Sequence, residues 1–179
     1  MSLSKIFCTS EIGLLKKVIV HRPDMGISRI SPKDAEELLF DDIVFLPQMQ
    51  KEHDIFTDVL KAFIGDENVL FIADLLEESL TADEIKKAEL IRMIVDYEEL
   101  PASFGNIFHR LDNKKLAEVL ITGYYEEEDH YFFDPIPNFI FTRDIAVVVK
   151  DHVIITKAAK EARFRENFLP RFIFWAHPL

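Results

Sequence analysis

The 179-residue sequence has a single cysteine, only five glycines and no apolar run of membrane length, and its 21 lysines and arginines are outnumbered by 32 aspartates and glutamates. Each scarcity excludes something. Cys8 alone cannot close an internal disulfide, and without a hydrophobic leader the expectation is a soluble, cytoplasmic protein with no membrane partner. A net charge of -11 without a concentrated basic face argues against nucleic acid as a partner. The few glycines form no phosphate-cradling loop. The histidines, His21, His53, His109, His130, His152 and His177, show no His-x-x-x-His spacing, so neither a metal nor a cofactor is expected. Cys8, near a terminus, is a poor nucleophile candidate.

What is present is apolar material for one real core: 49% hydrophobic and 12% aromatic residues exclude disorder as the main state. "LLKKVIVHRP" carries the β-branched run Val18, Ile19, Val20 and halts at Pro23, which predicts a strand entering a turn. Ser31, Pro32 and Asp34 look like the capped start of a short helix through "DAEELLF". From Gln48 to Ile64, Phe56, Val59, Leu60 and Phe63 recur at helical spacing. "NVLFIADLL" then reads as a second buried strand, parallel to the first through that crossover.

Between Ser79 and Glu128 the pattern turns helical. Thr81 and Glu84 resemble a capping box, Ile85, Ala88, Ile91 and Val95 form a stripe, and "DNKKLAEVLITG" is a further helix stopped by Gly123. The acidic "EEEDH" reads as a solvated linker. "NFIFTRDIAVVVKDHVIITKAA" follows as two strands joined at Lys150 and Asp151. The expected organisation is α/β, with residues 1–79 as the first module or modules, 80–125 as a helical insertion and 126–179 as the next module.

Within "PIPNFIFTRDI", a run otherwise resembling buried strand, Asp144 stands out. It either pairs with Arg143 or another cation at a strand end, or is a carboxylate offered at a sheet rim to a cationic ligand, for which a planar guanidinium is the best match. Residues 138 and 144 share one face of an unbroken strand and 141 takes the other, so a site using all three requires a bulge or bend between them.

"SEIGLLKKVIVHRP", "LLFDDI" with "QKEHDIF", "PNFIFTRD" and "FIFWAHPL" occur in an order that resembles the arginine deiminase family of guanidino-group-modifying enzymes. The helical insertion sits where arginine deiminases carry theirs and related dimethylarginine hydrolases do not. The resemblance implies a five-module α/β propeller that hydrolyses L-arginine to L-citrulline and ammonia through a cysteine nucleophile, a proton-shuttling histidine and two acids that grip the guanidinium. By motif match, Asp144 is the first of those acids, Phe141 lies against the guanidinium plane, and Asn138 and Arg163 hold the α-carboxylate.

Departures from the family pattern are Ile145 where proline is usual and a looser "TKAAKEARFRENF". The family's nucleophile, histidine and second acid come from later modules, and His177 of "HPL" is not the missing base. The expectation is the N-terminal part of an arginine deiminase-like hydrolase, inactive alone. A noncatalytic module that associates through an open sheet edge, with a partner or as a homo-oligomer, is the alternative; part of an amidinotransferase is disfavoured by the insertion.

Overall fold

A computed structural model describes residues 6–30, 38, 44–160 and 163–178. The expected helix through "DAEELLF", with its cap at Ser31, lies outside the described residues apart from Leu38. Strand β1, Val18–Val20, pairs in parallel with β2, Val69–Phe71, in the register Val18↔Val69 and Val20↔Phe71. A one-turn helix α1, Met25–Ser28, follows β1, and the crossover between the strands includes the long helix α2, Leu46–Ile64. Pro47 opens α2, and Gly65, at φ 87°, closes it by donating its N–H to the Lys61 carbonyl at 2.8 Å.

The expected second strand is shorter than its sequence implies. After three residues Ile72 begins helix α3, Ile72–Ala82, because Leu75, Leu76, Ser79 and Leu80 bury at helical intervals. Helices α4, Glu84–Tyr97, α5, Ala102–Arg110, and α6, Asn113–Thr122, follow and together with α3 supply more than half of the core. Leu76, Leu80, Ile94, Phe108, Leu116 and Leu120 are all fully buried in one cluster. Its remaining members include Phe139 and Leu169, so the cluster draws on all three expected segments.

Helix boundaries follow local chemistry. The Thr81–Glu84 capping box does not form: Thr81 is inside α3 and donates its hydroxyl to the Glu77 carbonyl, while Asp83 caps α4 by accepting from the N–H groups of Ile85 and Lys86 at 3.0 and 3.1 Å. In the α4 stripe Ile91 and Val95 bury but Ile85 is exposed, since it lies in the first turn beyond the packed face. Gly123 stops α6 as expected, at φ 71°, donating to the Val119 carbonyl at 2.8 Å.

The acidic stretch is a turn rather than a linker. Strands β3, Tyr124–Tyr125, and β4, His130–Tyr131, pair antiparallel around it, and the Tyr124 hydroxyl donates to Asp129 at 2.7 Å. The α2 stripe also differs from expectation. Phe56, Val59 and Phe63 face outward, Phe63 at 84% exposure, and the helix buries Leu46 and Thr57 instead. Periodicity identified the helix correctly but not what its apolar side meets.

The hairpin of β5, Ala146–Val149, and β6, His152–Ile155, forms as expected, with Lys150 at φ 54° in its two-residue turn. Cys8 and Lys150 exchange backbone hydrogen bonds at 2.9 and 2.7 Å, which pins the N-terminal segment to that turn. Helix α8, Phe168–Ala176, closes the chain against α3 and α4.

Candidate functional site

The segment carrying Asn138, Phe141 and Asp144 is not a strand. Pro137–Ile140 form a 3-10 helix, and Thr142–Ile145 a single helical turn, α7, that runs directly into β5. The physical reason is anchoring from outside any ladder. Asn138 donates its side-chain amide to the Leu38 carbonyl at 2.9 Å, and Thr142 donates its hydroxyl to the Ile19 carbonyl of β1 at 2.9 Å. The backbone meanwhile satisfies itself locally, with Phe141 N–H on the Asn138 carbonyl at 3.0 Å and Asp144 N–H on the Phe141 carbonyl at 2.9 Å. The break required between positions 138 and 144 is therefore present, and is larger than a bulge.

Asp144 lies at the open end of the β5–β6 hairpin, where Thr156 donates its hydroxyl to the Asp144 carbonyl and its N–H to that of Ile145. Its side chain is 52% exposed. The cation beside it is Arg163, whose Nη1 donates to Oδ2 at 3.2 Å, whereas Arg143 pairs with Glu11 at 3.0 Å. Two of the four residues singled out in the sequence thus meet each other.

Arg163 has a second, tighter partner that sequence reasoning missed. Its Nε and Nη2 both donate to Oε2 of Glu166, at 2.9 and 2.8 Å, and the Glu166 side chain is 2% exposed. Burial pushes the Glu166 carboxyl above its ordinary range, against the opposing pull of Arg163. For Arg163 burial acts downward but is outweighed by hydrogen bonds and charge from Glu166 and then Asp144, so its pKa rises. The only signal in the sequence was the i,i+3 spacing of opposite charges in "RFRE".

Asn138 is buried, with its amide committed to Leu38, and Phe141 stands half-exposed one turn before Asp144. The neighbouring Arg165 is buried and structural: it pairs with Glu98 at 2.7 Å, donates to the Asp134 carbonyl and lies over the Phe133 ring at 4.2 Å. Burial holds its guanidinium below the usual arginine range.

Chemically, a half-exposed carboxylate with an arginine fork beside it can receive one guanidinium and one carboxylate. Cys8 is not placed to attack anything held there. It sits at the turn end of the hairpin, roughly 15 Å along the strands from Asp144 at the usual rise per residue. Among the described residues no cluster of His, Cys, Asp and Glu could hold a metal ion, and no helix is long and apolar enough to cross a membrane. Two cavities of about 240 and 400 Å³ lie elsewhere, beside Trp175 and beside His21, and neither is lined by Asp144 or Arg163.

Comparison with known proteins adds an independent line. The family model described as arginine deiminase matches residues 36–126 and 105–179. An arginine deiminase of Mycolicibacterium gilvum is 31% identical over 199 aligned positions, which cover 99% of this chain and 49% of that protein. One from Listeria monocytogenes serotype 4b is 34% identical over 191 positions, covering 95% of this chain and 46% of the relative, and one from Limosilactobacillus fermentum is 34% identical over 195, covering 98% and 47%. The chain spans about half the length of the curated relatives it matches.

Proposed function

The chain belongs to the arginine deiminase family, and on that premise we propose that it supplies the guanidinium-gripping side of an enzyme that hydrolyses L-arginine to L-citrulline and ammonia. The observation that carries the reading is the Asp144–Arg163 juxtaposition: an acid matched to a guanidinium and an arginine matched to a carboxylate stand side by side, 3.2 Å apart, in a pair that must part to receive the two ends of one amino acid.

In this reading Asp144 accepts the two guanidinium nitrogens of the substrate in a fork, and Phe141 offers an aromatic face to the cation. Arg163 takes the α-carboxylate, and Asn138 braces the turn from which Asp144 projects. A carboxylate half-open to water gains little from pairing with a guanidinium, so the grip strengthens only when the site is enclosed and its dielectric falls. The nucleophilic cysteine, the proton-shuttling histidine and the second acid are assigned to residues outside this sequence, in keeping with Cys8 lying at the far end of the hairpin.

The α/β arrangement found here is proposed to be part of a five-module propeller. Residues 1–79 and 126–179 belong to successive modules and 80–125 to an inserted helical segment, whose helices share a buried cluster with α3 and α8. The reading locates the protein in the cytoplasm, without cofactor or metal. A second reading, a noncatalytic association module, is favoured by the outward-facing apolar residues Ile12, Leu14, Phe45 and Phe63, and predicts a homo-oligomer by light scattering.

The test of the enzymatic reading is a citrulline and ammonia assay on the purified chain with L-arginine. No turnover is expected. Measurable turnover would overturn the assignment of the chemistry to groups outside this sequence, and its loss in Cys8→Ala would make Cys8 the nucleophile.

A further inference from the structure

Arg163 uses three of its nitrogens on two carboxylates, and it uses them unequally. Nε and Nη2 converge on Oε2 of buried Glu166 at 2.9 and 2.8 Å, while Nη1 alone reaches half-exposed Asp144, at 3.2 Å and on one oxygen, Oδ2. The other oxygen of Asp144 makes no hydrogen bond or ion pair among the described residues. A guanidinium ligand engages a carboxylate best through two parallel bonds, one to each oxygen, and here one of the two is already taken by a guanidinium of the protein itself.

We propose that Arg163 is the resting occupant of the guanidinium position on Asp144 and that Glu166 is the positioning residue that keeps it there, so that an incoming guanidinium must displace Nη1 from Oδ2. The inference rests on the reading of Asp144 as a guanidinium acceptor. Displacement costs little on the exposed side, where one long bond is lost, and nothing on the buried side, where both bonds to Glu166 persist. Arg163 therefore pivots about Glu166 rather than leaving, and its freed Nη1 is the donor that meets the ligand's carboxylate. With both carboxylates ionised, the cluster of Asp144, Glu166 and Arg163 carries one uncompensated negative charge, which the ligand cation neutralises.

The probe is methylguanidinium, which has the cation but no carboxylate, titrated into the full chain by NMR at constant ionic strength, with methylammonium as the control. Removing the occupant and its anchor together, as Arg163→Ala with Glu166→Gln, keeps the net charge and avoids stranding a buried carboxylate. The double variant is expected to bind methylguanidinium roughly threefold to fivefold more tightly than the parent, as loss of a competing exposed ion pair implies, and adding Asp144→Asn should remove that gain. Unchanged or weaker binding by a folded double variant, or no binding at all, overturns the proposal.

Two further arms separate the failures. If Asp144→Asn in the parent leaves methylguanidinium binding unchanged, the acceptor reading itself fails. If Asp144→Asn weakens binding but the double variant shows no gain, only the occupancy proposal fails. Should the double variant not fold, the parent still decides: saturating methylguanidinium must move the Arg163 side-chain signals while its Nε–H stays hydrogen-bonded, and unmoved signals refute displacement.

Discussion

Arg165 is held at 2.7 Å by Glu98, a residue 67 positions earlier at the C-terminal end of α4, so the helical segment and the turn behind Arg163 share one ion pair whose arginine is buried and whose carboxylate is partly so. Removing one partner of such a pair strands a charge away from water, which typically costs more than removing both.

Glu98→Ala should therefore destabilise the chain by about 3 kcal/mol, because the Arg165 guanidinium, already buried and with an unpartnered Nε, loses its counter-charge. Arg165→Met combined with Glu98→Ala should recover a large part of that loss. Urea titrations of the two single variants and the double variant, arranged as a cycle, provide the check, and strict additivity would contradict the pairing.

Gly123→Ala is expected to cost at least about 2 kcal/mol. The residue sits at φ 71°, where a side chain is strained, and an added Cβ would collide with the Phe133 carbonyl, a backbone group that cannot swing away. Thermal denaturation should show the loss in full.

The cap of α4 supplies a pH test. Hydrogen bonding from Lys86 N–H above all, with help from Ile85 N–H, holds the Asp83 carboxyl below its ordinary range. A depressed folded-state pKa adds stability that is present above the unfolded-state value near 4 and is lost as pH falls through the folded value. Asp83→Ala should lower the thermal midpoint at pH 7 and lose that difference progressively below about pH 4, whereas Thr81→Ala should do little at either pH.

Phe63→Ser should leave stability within about 0.5 kcal/mol, since the ring is 84% exposed and buries almost nothing. The same change should reduce any self-association seen by light scattering if the outer face of α2 is where copies meet. A large drop in the thermal midpoint would mean that the stripe is buried after all.

Legibility in the sequence followed the range of the interactions involved. β1, the β5–β6 hairpin and the Gly123 stop were readable because runs of β-branched residues, turn residues and a left-handed position act within a few residues. The segment from Pro137 to Ile145 was misread as strand because its apolar content matches one, while what shapes it comes from afar, Asn138 to Leu38 and Thr142 to Ile19, separations of 100 and 123 residues. The outward face of α2 was equally hidden, since spacing reports amphipathicity and not what covers it. Asp144 and Arg163 emerged as candidates through family motifs, but their contact and the anchoring by Glu166 required coordinates.

The account turns on Asp144 as the acceptor of a guanidinium, and NMR titration of L-arginine into the parent chain and Asp144→Asn tests it most directly. The account predicts saturable shifts confined to the residues around Asp144, Phe141 and Arg163 in the parent and their loss in the variant. Equal affinity in the two proteins, or shifts that map to the cavity beside His21 instead, would contradict it.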